Sequence, residues 1–475
     1  MLSSASRALT IILAAASALA CSPGGDVKRP NIVLTIIDTL RADKLSSYGY
    51  PSDTSPALTR LSEQGVQFDS VISQTSWTMP SVGSMLTSQY PRTLGLYSED
   101  AQKVPDSAEL LAETLQRAGY ATFGITANPN LNERYNFHQG FDEYHESLVV
   151  FRKSRDEVPE GKTFFRDAAL RTAPEITIDV LDFADRVDGS MPCFVLIDLM
   201  EVHEYFNGKL RRPEYDKLFE GEPSAPYLQM VRQVTDDLAV LVEQLSAKPG
   251  WEDTLFVFTS DHGEGLLDHP SVASSRGHGS LLYGSHVHVP WIMYNPSWQP
   301  KRSRIEQRVR LLDLVPTLLD YAGVEASGDY EGISLMPLIE GEVEELPMPP
   351  YLITETYFRD LRKVSAIGDE WQLIHNRRKH EGLPRLELQG LDGKPDGAKT
   401  DQSAEHADAV QEMREFIRSW EAEHQRAKAT KIEEELDEAT RAQLQAVGYL
   451  GGDEEDEGAD ETEADGEEAS QSDSH

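Results

Sequence analysis

Short apolar runs alternate with longer amphipathic ones along the first part of the chain. NIVLTIID (Asn31 to Asp38), ATFGITA (Ala121 to Ala127), CFVLIDLM (Cys193 to Met200) and TLFVFTSD (Thr254 to Asp261) are rich in β-branched residues. Runs of that length, apolar on both faces, are the pattern of strands covered from both sides. Between them SAELLAETLQRAGY and YLQMVRQVTDDLAVLVEQL place apolar residues at helical spacing. The alternation predicts an α/β fold with a mostly parallel central sheet between helices. Such sheets bind ligands beyond the carboxyl ends of their strands. Two of the four runs end in aspartate, at Asp38 and Asp261.

Length then bounds the organisation. The 475 residues, 39% hydrophobic and 8% aromatic, suffice for one large domain with a smaller appendage. A formal charge of -37 argues against a nucleic-acid partner, which requires a basic footprint. The last 25 residues carry 12 acidic side chains and neither Lys nor Arg, so residues 451–475 are read as a disordered tail. No feature points to a protein partner.

The N-terminus reads as a targeting segment. Arg7 precedes the apolar ALTIILAAASALA, which is too short to span a bilayer, and Ala18-Leu19-Ala20 fits a cleavage site. Residues 1–20 are read as a signal peptide and residues 21–29 as a tether. Cys21 directly after the cleavage site is similar to the acylated cysteine of bacterial lipoproteins. That reading implies an exported protein anchored in the cell envelope, with Ser22 favouring the outer membrane. Ala18 stands where the usual lipobox has Leu, so plain secretion is the second reading. Cys193, the other cysteine, lies in an apolar strand and is read as a buried structural thiol.

The chemistry gathers in two kinds of segment. In SWTMPSVGSMLTSQYP, Thr78 is either a helix cap ahead of Pro80 or a nucleophile at a helix start. The strand-ending Asp38 and the pair Asp261-His262 could supply three ligands to one divalent cation. Each aspartate taken singly reads equally as a turn former.

These segments carry a resemblance to the sulfatase family of the alkaline phosphatase superfamily. NIVLTIIDTLRADKLSSYGY, SWTMPSVGSMLTSQYPRTLG, NERYNFHQGFDEY, TLFVFTSDHGE and RGHGSLLYGSHVHVPWIMYNP follow the family's order and spacing, as do LLDLVPTLLDYAG, EGISLMPLIEG and LQAVGYLG. The resemblance spans most of residues 30–450. It implies an alkaline-phosphatase-like catalytic domain over residues 30–345 and a C-terminal α+β subdomain over 346–450. It implies further that Asp38, Asp261 and His262 ligate the metal, that Thr78 stands at the nucleophile position with its oxygen on the same metal, and that His203 and His278 contact an anionic ester. Arg41 falls where it could support the ligands, and His286 and His288, which alternate in a strand-like SHVHVP, are read as structural. No second-metal pattern is found.

Two departures sharpen the expectation. Sulfatases of the usual kind hold C-x-P-x-R or S-x-P-x-R and oxidise the first residue to formylglycine. Here Thr78-Met79-Pro80-Ser81-Val82 closes that route. Thr78 resembles instead the nucleophile of the phosphoethanolamine and phosphoglycerol transferases of the superfamily. Thr39 replaces a further metal-binding Asp, which favours manganese or zinc over calcium or magnesium. The expected function is metal-dependent hydrolysis of phosphate mono- or diesters. The alternatives are a sulfuric ester hydrolase, a phosphoethanolamine- or phosphoglycerol-type transferase and an inactive binding module. Specificity is expected from Phe141 to Arg171 and Tyr205 to Pro226.

Overall fold

The computed structural model describes residues 29–97, 102–146, 148–150, 168–187, 189–269, 276–358, 361–377, 382–391 and 400–432, with Arg441 and Leu444. The signal segment, Cys21, the acidic tail, most of Phe141 to Arg171 and most of LQAVGYLG lie outside the described residues.

The four runs read from the sequence are all strands: β1 (Asn31–Ile37), β3 (Ala121–Thr126), β7 (Cys193–Leu199) and β8 (Thr254–Thr259). Each stops one or two residues short of the expected end, which leaves Asp38 and Asp261 in the loops beyond. The sequence reading omitted β2 (Val66–Ile72), β4 (Glu143–Glu146), the pair β5 (Leu148–Val150) and β6 (Ala168–Leu170), and the pair β9 (Gly265–Leu266) and β10 (Arg276–Gly277). It also omitted β11 (His288–Tyr294) and the edge strands β12 (Arg304–Ile305) and β13 (Val309–Arg310). SHVHVP, read as strand-like, is a single helical turn, Gly284–Val287, that passes into β11.

The main sheet runs β12-β2-β11-β8-β1-β7-β3-β4, with β13 also on β2. All its pairings are parallel except those of β11, which is antiparallel to β2 and β8. Because strand side chains alternate faces, β1 feeds two cores. Ile32, Leu34 and Ile36 enter one, and Val33 and Ile37 the other. Every residue of β1 is buried. Each such side chain contributes ~1.5–3 kcal/mol of burial as an upper estimate, so the strand ends are held in place by the best-packed part of the molecule.

Helices α1 (Pro56–Gln64), α2 (Thr78–Thr87), α3 (Pro91–Leu94), α4 (Leu111–Arg117), α5 (Ala173–Arg186), α6 (Ala225–Ser246), α7 (Gly284–Val287), α8 (Leu314–Tyr321) and α9 (Met336–Ile339) accompany the sheet. A second, antiparallel sheet follows, β14 (Leu352–Phe358), β15 (Leu361–Ile367), β16 (Trp371–Asn376) and β17 (Leu386–Gly390), packed against α10 (Ala407–Glu423). Its first strand braces the loop ahead of α2: Glu355 donates its N–H to the Gln74 carbonyl at 2.9 Å, and Gly279 donates to Ser76 at 2.7 Å while accepting from Thr356 Oγ1 at 2.6 Å. Among the described residues no helix is long and apolar enough to cross a membrane.

Candidate active site

Three loops at the carboxyl end of the sheet converge on one point. Asp38 follows β1, with its N–H on the Leu199 carbonyl at 2.9 Å. Thr39 then turns the chain through a left-handed conformation at φ 61°, which is costly for a β-branched residue. Its hydroxyl donates to the Asp38 carbonyl at 2.7 Å, and its N–H points to Asp261 Oδ1 at 3.3 Å. Beyond β8, Ser260 Oγ accepts from the Leu40 N–H at 2.9 Å and donates to the His262 carbonyl at 2.7 Å, so the two loops are stitched together. Gly263 is required by close approach: an added Cβ would lie 2.1 Å from the Ser285 carbonyl oxygen.

The third loop delivers Thr78. It is the first residue of α2, after an extended Trp77 at the cap. Its hydroxyl does not cap the helix. It lies 3.2 Å from His262 Nε2 and donates to Asp38 Oδ2 at 3.4 Å. Ser81, one turn on, donates to the Asp261 carbonyl at 2.6 Å, which locks the helix start to the loop after β8.

Asp38, Asp261 and His262 place one ligand atom each within 4.8 Å of one another, and all three are fully buried. Asp38 Oδ1 and Asp261 Oδ2 make no hydrogen bond there. His262 Nδ1 sits 2.8 Å from the Gly263 carbonyl, which fixes the proton on Nδ1 and turns the Nε2 lone pair inward. Burial raises Asp38 well above the usual carboxylate range, aided by the Asp261 charge, and burial raises Asp261 too. Burial and then His278 hold His262 well below its usual value. Two orphaned buried carboxylate oxygens and an inward imidazole lone pair fit a divalent cation, because unpaired anionic oxygens at such depth are otherwise expensive.

His203 and His278 are brought to the same point. Their ring centroids are 5.1 Å apart, and the ring of His278 is 4.6 Å from that of His262. Burial would depress His203, but the Glu204 hydrogen bond and the charges of Asp38, Glu204 and Glu264 raise it to about 9. Arg41 does not reach the ligands with its guanidinium. That group is buried and clamped by Asp43 at 2.8 Å, Asp268 at 2.6 Å and the Glu264 carbonyl at 2.9 Å, so Arg41 braces the loops that carry Asp38 and Glu264. His286 and His288 are buried, and burial lowers His286 to about 3. Cys193 is a buried thiol in β7.

Sequence reasoning missed the network behind Asp38. Asn128 Nδ2 donates to Asp38 Oδ2 at 2.6 Å, while Asp198 Oδ2 accepts from the Asn128 N–H at 3.1 Å and from Thr126 Oγ1 at 2.9 Å. Burial and then the Asp261 charge raise Asp198 to about 7. A signal was present: CFVLIDLM carries a carboxylate inside a fully buried strand, in register with Ile36 and Thr126. Tyr227 gave none, although its hydroxyl accepts from the Arg41 N–H at 2.9 Å and donates to the Thr39 carbonyl at 2.8 Å.

Known proteins share this arrangement of sequence and fold. A family model described as Sulfatase matches residues 30–324, and one described as N-sulphoglucosamine sulphohydrolase, C-terminal, matches residues 279–415. The N-acetylgalactosamine-6-sulfatase of Rattus norvegicus is 27% identical over 390 residues, 73% of this chain and 72% of that protein. The phosphonate monoester hydrolase of Agrobacterium radiobacter superposes with a TM-score of 0.66 at 20% identity, covering 84% of this chain and 96% of that one. A protein solved with its substrate D-glucosamine-2-N,6-O-disulfate gives 0.65 at 18% identity, covering 86% and 100%.

Proposed function

The chain belongs to the sulfatase family, and from that premise we propose that it hydrolyses phosphate esters through Thr78, with one divalent cation held by Asp38, Asp261 and His262. Membership makes it an ester hydrolase of the sulfatase and alkaline phosphatase superfamily, whose members use a divalent metal ion. The observation that carries the reading is the placement of the Thr78 hydroxyl, 3.2 Å from His262 Nε2 and 3.4 Å from Asp38 Oδ2.

The bound cation, manganese or zinc by the donor set, would lower the pKa of the threonine hydroxyl and offset charge on the transferring group. The chain's own residues do the rest. Thr78 Oγ1 gives its proton to Asp38 Oδ2 and attacks phosphorus in line, while the bond from phosphorus to the leaving oxygen breaks. His203 and His278 donate hydrogen bonds to the transferring group and to the departing oxygen. The first turn of α2 turns its N–H groups and the positive end of its dipole to the same anion, Pro80 contributing no N–H. Water then attacks the phosphothreonine, its proton ending on the departed oxygen, and as the bond to Oγ1 breaks Asp38 Oδ2 returns its proton to Thr78.

Phosphorus is favoured over sulfur by what Thr78 lacks. A formylglycine hydrate expels sulfate by re-forming its aldehyde, and a sulfothreonine has no such exit. Sulfate ester hydrolysis is the second reading, favoured by the sulfatases among the relatives. Assay of the purified domain against aryl sulfate, phosphate monoester, phosphodiester and phosphonate substrates separates the two. Phosphorus esters should give the higher kcat/KM, and a preference for aryl sulfate sinks the first reading.

The same proposal places the enzyme in the cell envelope through acylated Cys21. Labelled fatty acid should enter the wild-type chain and Cys21→Ser should release it from membranes. No label in wild type, with membrane binding unchanged in the variant, refutes the anchor.

A further inference from the structure

We propose that Glu204 and Glu264 are positioning residues that hold His203 and His278 in the one orientation able to serve the reacting ester, with Nδ1 on the carboxylate and Nε2 turned to the substrate. The inference rests on the functional reading above and extends it to residues with no assigned role.

The two histidines arrive from different loops, one beyond β7 and one beyond β10, and each meets a buried glutamate. Glu204 Oε1 lies 3.0 Å from His203 Nδ1, and Glu264 Oε2 lies 3.1 Å from His278 Nδ1. The glutamates are 6% and 3% exposed, and among the described residues neither has an ion pair with a lysine or arginine. A buried carboxylate is expensive unless a hydrogen-bonded partner compensates it, so each histidine is the group for which its glutamate is kept. A merely structural pair would not need to recur on two loops facing one point.

The glutamate backbones are themselves fixed. Glu264 donates its N–H to the Ser285 carbonyl at 3.0 Å and accepts from Arg41 at 2.9 Å through its own carbonyl. Glu204 donates its N–H to the Met200 carbonyl at 3.0 Å, directly after β7. With Nδ1–H committed to a carboxylate, contact with the transferring group falls to Nε2 of each ring. The ring of His278 lies 4.6 Å from that of His262 and 5.1 Å from that of His203, which places the pair beside the proposed metal ligands. A dyad of this kind carries the same net charge wherever its proton sits. An imidazolium in such a dyad donates from Nε2–H while its carboxylate cancels the charge, so each pair can offer a directed donor without the net positive charge of lysine or arginine.

A double-mutant cycle tests this on the metal-loaded full chain, with bis(4-nitrophenyl) phosphate and 4-nitrophenyl sulfate as substrates. Glu204→Ala and Glu264→Ala should each lower kcat/KM about 10–100-fold, mostly in kcat, with metal content and Tm near wild type. Glu→Gln should recover part of the loss, since an amide oxygen still accepts Nδ1–H. In a His203→Ala background, Glu204→Ala should cost nothing more, and likewise for Glu264→Ala in His278→Ala. Losses that simply multiply, or alanine variants with wild-type kcat/KM, overturn the proposal. If an alanine variant does not fold, the glutamine variants carry the same cycle. The cycle uses whichever ester the wild type turns over, so an error about phosphorus, or activity in Thr78→Ala, is detected separately.

Discussion

The hydroxyl of Thr78 stands 3.2 Å from Nε2 of His262, although 184 residues separate them in the chain. One residue opens α2 and the other leaves β8, and both elements are buried along their length. Their proximity is thus set by the packing of the sheet against the helix, and the site is as rigid as the core beneath it. Chemistry that needs a fixed oxygen beside a fixed ligand set gains from that rigidity.

Asp261→Asn should remove most of the bound metal while the fold stays intact. Asn keeps a carbonyl oxygen to accept the N–H groups of His262 and Thr39, now at 2.9 and 3.3 Å from Oδ1, but it removes the charge. Elemental analysis with circular dichroism on the same sample checks this. Unchanged metal occupancy removes Asp261 from the ligand set.

The second sheet is expected to matter to the first. Arg92 and Glu355 form a buried two-point pair at 2.9 and 2.6 Å, and Glu355 also holds the Gln74 carbonyl through its N–H. Glu355→Ala leaves a buried guanidinium with, among the described residues, only the partly exposed Glu421 as acid partner. A loss of ~3–5 kcal/mol is the usual cost of breaking such a pair. Denaturant titration should show it, and a change below 1 kcal/mol would mean that Glu421 compensates.

Acid should weaken the second sheet through His375. Burial, then Arg377, Arg385 and Arg414, lower this half-buried imidazole from 6.5 to about 4. Between those values the unfolded chain binds a proton that the folded chain refuses, so stability is full above pH 6.5 and declines as pH falls towards 4. His375→Gln should therefore gain Tm relative to wild type as the pH is lowered through that window. A difference that does not vary with pH contradicts the assignment.

How much of this could be read from the sequence divides by physical cause. The four buried strands were legible because an apolar run of that length has few other uses, and so were Asp38 and Asp261 just past two of them. The helical turn before β11 was hidden, because the alternation of His286 and His288 continues the strand pattern back across it. Thr78 kept two readings, since helix capping and nucleophilic placement ask for the same residue type at the same position. Only the distances to Asp38 and His262 separate them. Asn128 and Glu264 left no periodic trace, because each acts through contacts between loops distant in sequence.

The most direct measurement is turnover by Thr78→Ala and Thr78→Ser with metal content verified in each. If Thr78 is the nucleophile, the alanine variant should lose about 1,000-fold or more in kcat on a phosphorus ester, with metal still bound, and the serine variant should keep measurable turnover through its hydroxyl. Alanine-variant activity within tenfold of wild type would contradict it.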